Sequence, residues 1–340
     1  MRCCPAVGLH LDKKPTETNL KLTDQKAINM RRIFEIIILG VLPLLIWTCK
    51  ENSPTQSGSN GEDPSSLIAF TSIVNGNPQI FTMFPDGTNI VQISNDSGRK
   101  GHPDWSPDGW QIVYAANYNN GTPQSYSELY IINADGTGKF LIPNTRDGHH
   151  PRWSPSGIKI AFEQHLNGNG DIYVINTDGS NKIRLTTDPA QDGTPDWSPD
   201  GSEISFQSER DGSQRFEGSL YIMNQDGSNQ RSIFFSPQLF CTAWSQEGSR
   251  LIFGALQPVP GTSLEYVDLF TINPDGTDLT RITTSADGET YPSISPDGLR
   301  IVYMVNFRLF VMNIDGTGAH RLDARGRTDE DPAWSPEFNN

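Results

Sequence analysis

Histidine and carboxylate side chains recur at one kind of position in this chain, immediately ahead of a repeated tryptophan motif. These positions carry His102, His149, His150 and Asp192, and in a later repeat the equivalent position carries Tyr291. Imidazole and carboxylate groups that converge could bind a metal ion or act as general acid and base. The alternative is that polar residues near a proline only cap solvated loop ends, and the sequence favours this second interpretation. We therefore predict no metal site and no cofactor.

The sequence lacks the common catalytic motifs. It contains no Gly-x-Ser-x-Gly elbow, no His-Glu-x-x-His pair and no Walker loop. The formal net charge of −14 argues against a nucleic-acid backbone as partner, because such a partner requires a basic face. Cys241 is the one cysteine after Cys49, and one thiol is too few for an internal disulfide or a cysteine metal site in the later part of the chain. Composition and motifs thus favour a binding role over catalysis.

The tryptophan motif itself predicts a tight turn between two strands. It reads Pro-Asp-Trp-Ser-Pro-Asp-Gly at residues 103–109 and returns about every 40 to 50 residues. Pro, Asp and Gly suit successive positions of a β-turn. A β-branched or aromatic run follows each copy, and a second Asp-Gly turn closes a later run of the same unit. The residues that mark the repeat are Trp105, Trp153, Trp197, Trp244 and Trp334 in the first turn and Asp86, Asp135, Asp178, Asp226, Asp275 and Asp315 in the second.

Four short strands per repeat predict an all-β fold, a six-bladed β-propeller with four-stranded antiparallel blades. The first unit begins at Leu67 without a tryptophan strand, and the last unit, from Pro332, supplies only that strand. Pairing of the C-terminal strand with the N-terminal three closes the ring and leaves no open edge. The predicted propeller covers residues 66–336, and residues 337–340 form a tail.

The alternation of Trp-Ser-Pro-Asp-Gly with Ile-Tyr-x-x-Asn-x-Asp-Gly resembles the TolB-like six-bladed β-propeller family with its WD40-like Pro-Asp repeat. The resemblance covers about four fifths of the chain. It implies the propeller fold and a relation to the periplasmic Tol-Pal system. TolB proteins carry a separate α/β domain ahead of the propeller, and we do not expect residues 1–65 to form one.

The front of the chain predicts export. Residues 1–29 are polar without a clear period, and we expect them to be disordered or an upstream extension ahead of a start at Met30. Residues 30–49 combine two arginines with an apolar run, which is typical of a signal peptide, a lipoprotein signal or a membrane-anchor segment. The protein is therefore expected in the periplasm or cell envelope.

Attachment to a membrane is expected through this same segment. A cysteine directly after an apolar run resembles a lipoprotein signal, in which Cys49 would carry the lipid. A plain signal peptide, or an anchor helix within residues 33–48, stays open as an alternative. Residues 50–65 are rich in Ser, Asn and Gly and are expected to be a flexible linker.

Loops that differ between repeats define the binding hypothesis. The fixed turns share one face of a propeller, and the variable loops lie on the other, where binding residues usually occur. The leading hypothesis is a non-catalytic cell-envelope scaffold, a monomer, which presents these loops to a protein or peptide partner. The alternative is a lyase or hydrolase of a carbohydrate or small ligand, with His102, His150 and Asp192 at the channel mouth. The aromatic residues of the variable loops are Tyr118, Tyr126, Phe216 and Tyr266.

Overall fold

A computed structural model describes residues 66–117, 126–166, 168–212, 217–258, 265–322 and 328–338. These residues form six four-stranded antiparallel sheets, one for each blade. Blade 1 contains β1 (Ile68–Val74), β2 (Asn77–Met83), β3 (Val91–Gln92) and β24 (Asp329–Trp334). Blade 2 contains β4 (Arg99–Trp105), β5 (Gln111–Asn117), β6 (Ser127–Asn133) and β7 (Phe140–Leu141); blade 3 contains β8 (Gly148–Trp153), β9 (Lys159–Leu166), β10 (Asn169–Asn176) and β11 (Ile183–Arg184).

The innermost strand of blade 1 is β24, and in every other blade the strands run in chain order from the innermost outward. Blade 4 contains β12 (Asp192–Trp197), β13 (Glu203–Ser208), β14 (Gly218–Asn224) and β15 (Arg231–Ser236). Blade 5 contains β16 (Leu239–Trp244), β17 (Leu251–Pro258), β18 (Glu265–Ile272) and β19 (Thr280–Arg281); blade 6 contains β20 (Glu289–Ile294), β21 (Arg300–Val305), β22 (Arg308–Asn313) and β23 (His320–Arg321). The predicted six-bladed propeller is confirmed.

The ring closes as the sequence predicts. Strand β24 pairs antiparallel with β1, and Trp334 lies opposite Ile68 in the register. The main chain of Ser335 donates to the carbonyl of Leu67 at 2.8 Å. The first and last described segments therefore share one sheet, and no innermost strand of the ring is left unpaired among the residues described.

The tryptophan-motif turns repeat one hydrogen-bond pattern. In blade 2 the Gly109 N–H donates to the Ser106 carbonyl at 2.8 Å, and Asp108 Oδ1 accepts from the Ser106 hydroxyl at 2.6 Å. Gly109 has a φ of 73°, a conformation that costs glycine little because it has no Cβ. We call the end of the propeller that carries these turns, residues 106–109 and their equivalents, the turn face.

The second turn of each blade lies on the turn face as well. Asp135 Oδ1 accepts from the Thr137 N–H at 2.8 Å and from its hydroxyl at 2.6 Å, and Gly136 has a φ of 84°. These hydrogen bonds from Thr137 lower the pKa of Asp135. The aspartates predicted to mark this turn act as local acceptors for the residue two positions later in the chain.

The apolar core lies between the blades. Six clusters of buried side chains each join one blade to the next around the ring. In the cluster between blades 2 and 3, Trp153 packs with Phe162 of its own blade and Val113 of the preceding one. Because every sheet is covered on both faces, the strands read as near-continuous apolar runs.

Two sequence-based boundaries differ from the structure. The sequence predicts a variable loop over residues 163–170, but β9 continues as far as Leu166; Tyr266, also predicted in a variable loop, lies inside β18. Both hairpins extend because cross-strand pairing continues beyond the point at which the apolar pattern ends. The outermost strand is two residues long in five blades and six residues long in blade 4.

The predictions for the N-terminal segment concern residues outside the described ranges. These are the extension over residues 1–29, the signal or anchor over 30–49, lipid attachment at Cys49 and the linker over 50–65. Within the described residues, no helix has the length and hydropathy needed to cross a bilayer.

Candidate functional site

Every innermost strand loses register at the same point. In blade 2, Gly101 and Asp104 pair with β5 on either side of a bulge that holds His102, and β8 shows the same irregularity around His150. A bulge inserts an extra residue and re-aims its side chain. The same irregularity occurs in the other four blades. The six bulge residues are Asp331, His102, His150, Thr194, Cys241 and Tyr291.

The bulge residues share an unusual backbone conformation. In five of them φ is positive, between the 46° of His150 and the 54° of Tyr291, and each of these five precedes a proline. Cys241 is the exception, and Thr242 stands where the other strands have proline. Positive φ is costly for residues with a Cβ, and it occurs where the surrounding structure holds it in place. We call the part of the channel at the level of the six bulge residues the mouth.

Two imidazoles meet in the mouth. The ring centroids of His102 and His150 lie 3.9 Å apart, and the ring of Tyr291 lies 6.5 Å from that of His102. His102 Nδ1 is 3.3 Å from Asp331 Oδ2, which also accepts the His102 main-chain N–H at 3.1 Å. His150 Nδ1 is 3.0 Å from Glu163 Oε2. The site is therefore a pair of imidazole–carboxylate couples that face each other.

The two couples have different electrostatics. Burial disfavours the charge on His102, but the Asp331 carboxylate outweighs burial and raises the pKa of His102. Burial and the neighbouring His102 lower the pKa of His150. Burial also opposes ionisation of Asp331, yet His102 lowers its pKa to about 2. His102 is thus the more basic imidazole of the pair.

Glu163, on the second strand of blade 3, belongs to the site although the sequence did not indicate it. Its carboxylate contacts His150 and His165, and Oε2 accepts the Thr194 main-chain N–H at 3.2 Å. A Cβ on Gly193 would lie 2.5 Å from Glu163 Oε2, so a larger residue there would displace the carboxylate. Two features of the sequence could have indicated it. Glu163 is a single acidic residue directly after the apolar run of β9, and the link into the next blade contains Gly193.

A second layer of polar side chains lies two residues further along the innermost strands. Asp104 Oδ2 accepts the main-chain N–H of Trp153 at 2.6 Å, and Asp196 Oδ2 accepts that of Trp244 at 3.2 Å. The Arg152 guanidinium approaches Asp196 to 3.8 Å. Burial raises the pKa of Asp196 to about 7 despite Arg152. These two hydrogen bonds join blade 2 to blade 3 and blade 4 to blade 5.

The open space at the mouth is small. A cavity of about 10 Å³ is lined by one of the two couples, His102 with Asp331, and by Tyr291, Arg152 and three prolines. A volume of this size holds about one water molecule. The mouth therefore offers polar groups and aromatic edges but little enclosed space.

Two of the sequence-selected residues lie away from the mouth. His149 Nε2 is 2.9 Å from the Ser127 hydroxyl, and burial and the neighbouring His150 lower its pKa to about 4. Asp192 is 0 % exposed and forms an ion pair with Arg210 at 2.8 Å inside blade 4. The structure thus brings together His102, His150 and Tyr291.

The aromatic loop residues are dispersed. The Tyr126 ring stacks under the Arg146 guanidinium at 4.3 Å, and Tyr266 is half-buried in β18. Tyr118 and Phe216 lie outside the described residues. In the part of the chain that the structure describes, no group of three or more His, Cys, Asp or Glu side chains is arranged to hold a metal ion.

The repeat and its turns have a counterpart among known families. The model of the TolB beta propeller domain matches residues 127–338, more than half of the chain. The chain belongs to the TolB β-propeller family. The predicted resemblance is therefore confirmed.

Individual TolB relatives match part of this propeller. The protein TolB homolog of Chlorobaculum tepidum is 31 % identical over 119 residues, which are 35 % of this chain and 26 % of the relative. The chain thus spans about a quarter of that relative's length. Dipeptidyl-peptidase 5 of Porphyromonas endodontalis is 24 % identical over 303 residues, 80 % of this chain and 42 % of the relative. The crystal structure of TolB from Acinetobacter baumannii superimposes with a TM-score of 0.65 at 21 % identity, over 81 % of this chain and 68 % of that one, which shows the shared fold.

Proposed function

We propose that this TolB-family propeller is a non-catalytic scaffold of the cell envelope that binds a segment of a partner protein or peptide across the channel mouth. One observation carries the proposal: the six bulges repeat around the ring, but side chains of five different types occupy them. Repetition of the backbone with variation of the side chain is the arrangement of a binding surface on a rigid scaffold.

The size of the mouth favours a protein segment over a small substrate. Small-molecule sites usually enclose roughly 300–1,000 Å³, whereas the cavity beside His102 holds about 10 Å³. The side chains of His102 and His150 are 24 % and 20 % exposed, so each presents an edge to a ligand that lies over the channel. Imidazole and tyrosine edges can donate to main-chain carbonyls and pack against apolar side chains.

The relatives and the N-terminal sequence support a place in the envelope. A TolB relative from Anaeromyxobacter dehalogenans carries the name Tol-Pal system protein TolB, and the segment before Cys49 reads as an export signal or anchor. We propose that the chain is exported, attached to a membrane through this segment, and monomeric while it binds its partner.

The experiment is capture of partners from envelope extracts with the full chain as bait. The mouth variant combines His102→Asn and His150→Asn, because asparagine accepts the positive φ that both positions require. The matched control is His320→Asn on the exposed outer strand β23. We expect the mouth variant to lose a partner that wild type and the control retain. Equal capture by all three proteins would refute binding at the mouth.

A lyase or hydrolase is the second candidate, and one observation favours it. Two imidazole–carboxylate couples face each other with ring centroids 3.9 Å apart, a set that could supply an acid and a base. The test is release of product from oligosaccharide and ester panels by the full chain, with the same mouth variant and control. Turnover that disappears in the mouth variant would replace the scaffold proposal.

A further inference from the structure

Three large apolar side chains are exposed at one equivalent position of the turn face. Trp110 is 74 % exposed, Leu299 62 % and Ile158 60 %, and each directly follows the glycine of its tryptophan-motif turn. In blades 4 and 5 the same position holds the exposed residues Ser202 and Ser249. The turn hydrogen bond from glycine to serine is the same in all five blades, so all five residues lie on the turn face.

The three apolar residues form an arc. They belong to blades 2, 3 and 6, and blade 1 lies between blades 6 and 2 in the closed ring. Blade 1 contributes the half-buried Phe338, whose ring packs edge-on against Trp105 with centroids 6.1 Å apart. Scattered apolar residues are ordinary on a protein surface, but a run of them along one edge marks a contact surface. We call Trp110, Ile158, Leu299 and Phe338 the apolar arc.

The described chain enters the propeller in the middle of this arc. The Leu67 N–H donates to the Ser335 hydroxyl at 2.8 Å, and the Leu67 carbonyl accepts from the Ser335 N–H at 2.8 Å. Ser335 is the blade 1 counterpart of Ser106, the first residue of the blade 2 turn. Residue 66 therefore joins blade 1 at the turn face.

The length of chain between this point and Cys49 limits how far the turn face can lie from an attached membrane. A flexible linker of the length predicted over residues 50–65 has a root-mean-square span of roughly 20–25 Å. Attachment at Cys49 would therefore leave the turn face within reach of the bilayer.

We propose that the apolar arc docks on the surface of a lipid bilayer, an inference that rests on the proposed membrane attachment. Tryptophan is suited to the interface because its ring is apolar and its N–H is polar. Asp108 and Asp297, in the turns that present Trp110 and Leu299, are exposed carboxylates. They oppose anionic lipid, so the arc fits a surface of neutral headgroups. Docking at the turn face leaves the opposite face of the propeller open to a partner.

The chain offers a spectroscopic test. The other described tryptophans are at most 7 % exposed, so Trp110 is the accessible reporter once Trp47→Phe removes the tryptophan of the apolar segment. The full chain is reconstituted into phosphatidylcholine vesicles with and without brominated acyl chains. We expect brominated lipid to quench Trp110 emission and lipid to protect Trp110 from acrylamide. Both effects should disappear in Trp110→Phe.

Matched variants test the arc as a surface. Ile158→Ser and Leu299→Ser introduce the residue that blades 4 and 5 already carry, and should reduce the quenching of Trp110 without changing the thermal midpoint. The control is Phe307→Asn, which removes an apolar side chain that is 55 % exposed, in the hairpin between β21 and β22 at the opposite face; asparagine accepts its φ of 58°. This control should leave the quenching unchanged.

Three outcomes would overturn the docking proposal. Vesicle-bound protein whose Trp110 is not quenched would show that the arc faces solvent, and partner capture at the mouth would be unaffected. Protein that fails to float with vesicles would remove the attachment on which docking rests. Protection of Trp110 that needs no lipid and grows with protein concentration would assign the arc to contact between two copies of the chain.

Discussion

The two faces of the propeller arise from one repeat but differ in what is repeated. At the turn face the same residue types make the same hydrogen bonds in successive blades, as in the Ser106–Gly109 and Asp135–Thr137 contacts. At the mouth the same bulge recurs, yet its side chain is acid, imidazole, hydroxyl, thiol or phenol according to the blade. The turn face thus carries stability, and the mouth carries the variation from which recognition can be built.

The backbone supports this contrast. Positive φ is taken by glycine in the turns, such as Gly109 and Gly136, where a Cβ is absent and the conformation costs little. At the mouth it is taken by His102, Tyr291 and Asp331, for which it is costly. A side chain held in an unfavourable backbone conformation is a sign that its direction matters.

The largest expected effect concerns the core that both faces share. Trp334→Ala removes a side chain that is 7 % exposed, packs with Phe70 and Met83, and donates from Nε1 to Ser66. We expect a loss of about 3–5 kcal/mol in the free energy of unfolding, measured with urea. Trp110→Ala is the control, since an exposed tryptophan should change stability by less than about 0.5 kcal/mol. Similar losses in both variants would contradict closure by Trp334.

The next effect is a pH dependence of stability that comes from His149. The pKa of His149 is lowered to about 4 by burial and by His150. In the unfolded chain this histidine takes up a proton near pH 6.5, whereas in the native protein it stays neutral down to about pH 4. The free energy of unfolding therefore falls as the pH drops from about 6.5 to 4. His149→Gln should reduce this loss in the free energy of unfolding by about 2–3 kcal/mol, measured by urea unfolding across the pH range. His320→Gln, on the exposed strand β23, should keep the wild-type profile; an unchanged profile in His149→Gln would contradict the assignment.

A smaller effect separates backbone strain from contact on the turn face. Gly227 has a φ of +85°, and an added Cβ would lie 2.7 Å from the Leu185 carbonyl. Gly298 has a φ of +72° with nothing within 4 Å of that position. Alanine should cost about 2 kcal/mol or more at Gly227 and about 1 kcal/mol at Gly298, measured by chemical unfolding. Equal costs would mean that the contact with the next blade is not tight.

The smallest stability effect is expected at the mouth. Tyr291→Phe removes only a hydroxyl and should shift the free energy of unfolding by less than about 0.5 kcal/mol. If the mouth binds the partner, the affinity should nevertheless fall about 2- to 10-fold, the range for one lost hydrogen bond. A titration of the captured partner against wild type and Tyr291→Phe measures this, and unchanged affinity would remove Tyr291 from the proposed contact.

Much of the fold was accessible from the sequence because its determinants are local. Turn residues such as Pro107 and Gly109 specify a bend within four positions, and their recurrence gives the number of blades. The single strand at Trp334 predicts ring closure, because the first repeat lacks a tryptophan strand and the last repeat supplies only that strand.

The candidate site depended on contacts between strands that are distant in the chain. Nothing in the sequence separates His150, which turns into the channel, from its neighbour His149, which turns toward Ser127. Glu163 joins the site only because β9 carries it beside the bulges of blades 3 and 4. The repeat and its turns were therefore determined by the sequence, since each turn is a matter of a few neighbouring dihedral angles. Which polar groups meet at the mouth was decided by the tertiary structure, since bulge register and the packing of one blade on the next have no local signal.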